Sequence, residues 1–182
     1  MSRSRLSLLS TLNKKTSSFT ICNPEYFSPR DFYSRVEDWI KSEHSLLQIA
    51  NSIRDFKKPE NARLFSSQSE KLRRLLAAGD RMGLTGICSV PLYEIIENHL
   101  DFGTRLPFTL PEGPCVPTFL GAATYKSGAA ASPASTWFQL YFSVVYKEAE
   151  QFAVLERRPV DNDTVKDHWK FAHIEDKKQL NL

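Results

Sequence analysis

Residues 136–147, TWFQLYFSVVYK, decide the class of this fold. Phe138, Leu140, Phe142, Val144 and Tyr146 recur at every second position, the period of a strand with one face buried. Trp137, Gln139, Tyr141, Ser143 and Val145 occupy the other face. That face is amphipathic rather than charged, so helices or another subunit are expected to cover part of it. Trp137 and Tyr141 are the candidates it offers for self-association.

On the N-terminal side, Val116–Lys126 reads as a second strand, joined to the first by a loop of small residues, 127–135. On the C-terminal side a turn at 148–150 leads into 151–157, which predicts an antiparallel hairpin. One short helix is expected in the tail, using Val165, Trp169 and Ile174, and residues 176–182 are expected to fray.

The N-terminal half changes to helical periodicity. Residues 29–42 start with Ser28 as N-cap, Pro29 at the first helical position and Asp31 in the first turn. Phe32, Tyr33, Val36, Trp39 and Ile40 fall in one stripe that is expected to pack, with Arg35, Glu37, Asp38 and Lys41 on the wet side. A second helix is predicted over 45–56 from Leu46, Leu47, Ile49, Ala50 and Ile53. A third is predicted over 67–82, packing Leu72, Leu75, Leu76 and Met82 and stopped by Gly83. Residues 84–90 read as a short strand. Ser89 and Pro91 then open a fourth helix in which Leu92, Ile95, Ile96 and Leu100 share a face, so Tyr93 to Ile96, a Y-x-x-apolar motif, is read as packing. Four prolines and two glycines within 102–117 forbid regular helix and predict a long, stiff loop.

These elements predict an α+β protein: a helical N-terminal half packed against a small antiparallel sheet, preceded by a disordered basic arm. Residues 1–24 form the arm, 25–175 a single domain and 176–182 a frayed tail. With 182 residues, 41% hydrophobic and 25% charged, the composition is that of a globular chain, and no apolar run is long enough to span a membrane.

The net charge of +3 hides a gradient. Residues 1–24 contain Arg3, Arg5, Lys14 and Lys15 and no acid at all. Such an arm suits nucleic-acid phosphates or an anionic membrane surface. It is also Ser-rich, the composition of an organelle transit segment, so an organellar accessory or assembly factor with a cleaved N-terminus is the alternative. Between 54 and 81 lie Arg54, Lys57, Lys58, Arg63, Lys71, Arg73, Arg74 and Arg81, interleaved with Asp55, Glu60, Glu70 and Asp80. An exposed positive face is expected there, with Arg73 and Arg74 pointing away from the apolar stripe of their helix.

Catalytic patterns are missing from the sequence. The nearest imitation of a phosphate-cradling loop, GAATYKS at 121–127, has Tyr125 where glycine must stand. Cys22, Cys88 and Cys115 are odd in number and widely spaced, which predicts reduced thiols in an intracellular, cytoplasmic protein. His44, His99, His168 and His173 have no paired cysteines near them, so neither a zinc site nor any cofactor or small-molecule substrate is expected. The enzymatic alternative would use Cys88 with His99, or one of the acidic pairs Glu94 and Glu97, Asp161 and Asp163, or Glu175 and Asp176. The leading expectation is a non-enzymatic structural protein, viral matrix-like or nucleocapsid-associated, that self-associates and binds an anionic partner through Arg3, Arg5, Lys14, Lys15, Lys57, Lys58, Arg63, Lys71, Arg73 and Arg74.

Overall fold

A computed structural model of the chain describes residues 32–53, 56, 61–109, 115–126, 136–146, 150–157 and 169–176. Among them, four helices precede four strands. The helices are α1 (Phe32–Ser52), α2 (Asn61–Ala78), α3 (Arg81–Ile87) and α4 (Val90–Phe102). The strands are β1 (Val116–Lys126), β2 (Thr136–Val145), β3 (Glu150–Arg157) and β4 (Lys170–Asp176). The strands form one antiparallel sheet in the order β1-β2-β3-β4, so the protein is α+β with its helical half packed on a small sheet. The arm at 1–24 and the tail beyond Asp176 lie outside the described residues.

Strand register explains which face meets the helices. Leu140 pairs with Ala122 on β1 and Leu155 on β3, and Phe142 pairs with Phe119 and Ala153. These residues share one core with Leu46 and Ile49 of α1, Phe65 and Leu72 of α2, Leu84 and Ile87 of α3, and Leu92 and Ile96 of α4. Phe65 is the wedge, its ring centroid 4.9 Å from Phe142 and 5.5 Å from Phe171. Such offset and edge-on pairs add to the burial of three large rings. Tyr141, Phe152, Val154 and Ala172 form a second, smaller cluster on the opposite face, packed with Leu120 and Ala123.

The helical half touches the backbone of both edge strands at single points. On the β1 side, the Ala122 N–H donates to Ser42 Oγ of α1 at 2.9 Å, and Thr124 Oγ1 donates to Gln48 Oε1 at 2.6 Å. On the β4 side, the Ser89 N–H donates to the Phe171 carbonyl at 2.7 Å, and Cys88 bridges Phe171 in parallel sense. Each such contact interrupts the run of unpaired backbone that would template strand addition.

Four expectations are corrected. The predicted helices at 29–42 and 45–56 are one helix where described, because neither glycine nor proline interrupts 32–52, and Ser42 and Ser45 are small residues buried under it. The predicted helix at 67–82 instead spans Asn61–Ala78. It ends at Gly79, whose φ of 63° accommodates the paired terminal bonds Gly79 N–H to Leu76 O and Asp80 N–H to Leu75 O. Asp80 then caps α3 by accepting from the Gly83 N–H at 2.9 Å, so 81–87 is helix rather than strand and Met82 is exposed.

The tail is the fourth correction: 170–176 is a strand, not a helix. Inner residues of β3 are buried, and β4 satisfies the second edge of that strand through pairs such as Ala153 with Ile174. Trp169 packs 6.2 Å from Phe56, and Val165 lies outside the described residues. By contrast β1 has its predicted bounds, and α4 starts after Ser89 and ends at Gly103, whose φ is 64°.

Candidate interaction surfaces

The largest departure from sequence expectation is on α1. Its apolar stripe does not pack: Phe32 is 74% exposed, Tyr33 83%, Trp39 63% and Ile40 56%. The helix instead buries Ser42, Ser45, Leu46 and Ile49. Packing follows this second row because Ser42 reaches the β1 backbone and because small side chains let the helix lie against the strand. Two apolar rows on one helix look alike by periodicity alone. The outward row contains six large apolar residues, Phe32, Tyr33, Val36, Trp39, Ile40 and Leu47, all exposed. Charge beside it is partly self-compensated, and Lys41 next to Glu37 holds that carboxyl below its usual range.

The basic residues of α2 lie on its solvent side. Arg63, Lys71, Arg73 and Arg74 are all exposed, while Phe65 and Leu72 face the core. Arg74 is paired with Glu70 at 3.0 Å, one turn away. Arg81 spans from α3 to α4, where it pairs with Asp101 and, at 3.8 Å, with Glu97. On α2 this leaves Arg63, Lys71 and Arg73 as the cations free to meet an outside anion. Arg3, Arg5, Lys14, Lys15, Arg54, Lys57 and Lys58 lie outside the described residues.

The sheet face opposite the helices carries a buried polar chain. Tyr141 is 0% exposed, and its hydroxyl donates to Gln139 Oε1 at 2.7 Å. Gln139 Nε2 in turn donates to Glu156 Oε2 at 2.9 Å, and Tyr125 Oη donates to the same oxygen at 2.7 Å. Glu156 is only 5% exposed, so these donors offset the desolvation of a carboxylate. Trp137 is half-buried and stacks on Tyr125, with centroids 6.4 Å apart. Tyr141 therefore has no surface to present to a partner, and Trp137 has part of one.

Among the described residues, most of the candidate catalytic groups are committed to other surroundings. Burial pushes the Cys88 thiol up to about 12, only weakly opposed by Lys170. A thiol so held is neutral near pH 7, and the thiolate is the nucleophile. His99 is engaged elsewhere, its Nδ1 2.5 Å from the Thr104 carbonyl. Asp176 is committed to structure: it accepts from the Thr109 N–H at 2.9 Å, from Thr109 Oγ1 at 2.8 Å and from Gln151 Nε2 at 2.5 Å. This clamp ties the 103–109 segment to β4, leaving an open groove of about 940 Å³ beside α4, lined by Pro91, Ile95, His99, Arg105, Phe108 and His173 among others. Glu97 accepts from Tyr93 Oη at 3.3 Å, and Asp161 and Asp163 are outside the described residues. Among the described residues no three His, Cys, Asp or Glu groups are placed to hold a metal ion, and no helix is long and apolar enough to cross a membrane. No family model matches the chain, and no curated protein matches it either.

Proposed function

We propose that this chain is a non-enzymatic structural or interaction protein that self-associates and binds an anionic polymer or surface, a role of the matrix-like or nucleocapsid-associated kind. The observation that carries the proposal is the outward apolar row of α1, an aromatic-rich surface with no role in the fold's own core. A row of that size beside a fully formed core is what a partner surface provides. Exposed Arg63, Lys71 and Arg73 on α2, with the acid-free basic segment at 1–24, support the anionic partner. The burial of Tyr141 and the helix contacts at both sheet edges favour the helical surface over the sheet for self-association.

Light scattering on the full chain, followed over a concentration series, tests self-association. The mass is expected to rise above that of the 20.8 kDa chain as concentration increases. A mass fixed at one chain throughout would contradict the proposal.

A further inference from the structure

We propose that the groove between β4 and α4 takes an extended peptide segment of a partner protein, which adds as a strand to the outer edge of β4 and sets a carboxylate against Arg105. This surface is separate from the one proposed for self-association, so either can fail without the other. The groove follows the strand edge rather than one face of the sheet. Five consecutive β4 residues line it, Ala172 to Asp176. Ala172 belongs to the small cluster on the face opposite the helices and Ile174 to the core beneath them, and only an edge presents both.

The fold itself begins a fifth strand here and abandons it. Cys88 bridges Phe171 in parallel sense, and the Ser89 N–H donates to the Phe171 carbonyl. Val90 then starts α4, with Pro91 in its first turn, and strand pairing stops. Beyond Phe171 the described backbone bonds to β4 come from β3. From Ala172 to Asp176 the edge is about 13 Å long, the length of a segment of about four or five residues. Backbone groups at strand spacing along an apolar-walled groove are complementary to another strand, whose own backbone supplies the matching donors and acceptors.

The opposite wall is already in place. At one end the Gly103 N–H donates to the His99 carbonyl at 2.9 Å, and His99 Nδ1 lies 2.5 Å from the Thr104 carbonyl. At the other end Asp176 holds Thr109, and buried Phe108 anchors the stretch between. A wall pinned at both ends lowers the ordering cost of binding. Leu92, Ile95 and Phe108 supply the apolar lining for alternate side chains of the segment. The two carboxylates of the groove are committed, Asp176 to Thr109 and Gln151, and Glu175 to His173 at 3.4 Å. Arg105 is exposed on the wall, and among the described residues no carboxylate pairs with it. A carboxylate on the segment completes that pair.

Selection of a phage-displayed heptapeptide library on the full chain, followed by titration of the enriched sequence as a synthetic peptide, tests the site. Enriched sequences should alternate apolar residues and carry Asp or Glu at one fixed position. The peptide should slow amide exchange within 172–176 and lose its binding when alternate backbone nitrogens are methylated. Arg105 and Ile95 are both exposed, so Arg105→Glu and Ile95→Asp should leave circular dichroism unchanged. Each should weaken the peptide on the order of tenfold or more, and selection repeated on the Arg105→Glu chain should replace the acidic position with Lys or Arg. A library that yields no consensus, or a peptide that protects amides elsewhere and ignores Ile95→Asp, would overturn the site. Undiminished binding of the methylated peptide would overturn strand addition, and indifference to Arg105→Glu would overturn the carboxylate.

Discussion

Ser42 Oγ, beneath α1, accepts the backbone N–H of Ala122 in edge strand β1 at 2.9 Å. A helix side chain thus fills a place that a fifth strand would otherwise take. Both groups are buried, so the bond joins the helical half to the sheet in a place water does not reach. It also orients α1, turning one of its two apolar rows inward and the other to solvent.

Ser42→Ala should leave the Ala122 N–H unsatisfied and destabilise the fold by about 1–3 kcal/mol. Urea unfolding measures the loss, and faster amide exchange at Ala122 relative to the β2–β3 amides locates it. An unchanged midpoint would mean that α1 is not held by this contact.

Gly79 ends α2 with φ of 63° and open space around the position a Cβ would take. Steric crowding is therefore absent and only backbone strain remains. Gly79→Ala should cost about 1 kcal/mol, and Gly79→Asn, which tolerates this conformation better, should cost less. Thermal unfolding of the two variants checks the order.

Cys88 gives the chain a pH signature. Its thiol is neutral in the fold and raised from an ordinary 9.0 to about 12. Burial stabilisation from that neutral thiol is therefore complete below pH 9 and declines as pH rises from 9 towards 12. Burial also raises the Tyr146 hydroxyl, adding a loss in the same direction above its ordinary value of 10.0. Stability measured in urea should be level between pH 7 and 9 and fall above that range. At neutral pH a thiol reagent should label Cys88 only after unfolding; rapid labelling in the native state would revive the nucleophile reading.

Tyr125→Phe removes a donor from the buried Glu156 carboxylate and should destabilise the fold by roughly 1.5–3 kcal/mol. Adding Glu156→Gln should recover part of that loss, since the charge that needed the donor is gone. A double-mutant cycle reads the coupling, and additivity of the two changes would show that the contact contributes nothing.

Much of the sheet was legible in the sequence. Strict alternation over 136–147 marks β2, and β1 has its predicted bounds because turn-forming residues flank it on both sides. The start of α4 was equally clear from Ser89 and Pro91, whereas Gly103, which closes it, was read only as part of the following loop. Local pattern misled where partners are distant in sequence. Gly79 followed by Asp80 is a stop and a cap in succession, yet the run of apolar residues across Leu76 and Met82 concealed the break. β4 is set by its pairing to β3, which no feature within 170–176 announces. On α1 the inward row includes two serines, whose burial follows from the approach of Ala122, 80 residues away in sequence. The aromatic stripe was seen, but its direction was not. Tyr141 illustrates the reverse error, since its neighbours on β1 and β3 bury a residue that strand alternation alone leaves facing outward.

If the anionic partner proposed for this chain is a nucleic acid, the salt dependence of single-stranded RNA binding shows it most directly. The full chain should be compared with an Arg63→Glu, Lys71→Glu, Arg73→Glu variant and with a chain beginning at Asn23. The prediction is a steep loss of affinity with salt for the full chain, a slope lower by about 0.7 for each phosphate contact removed in the variant, and a further flattening when the arm is absent. Failure of all three chains to bind at low salt would contradict it.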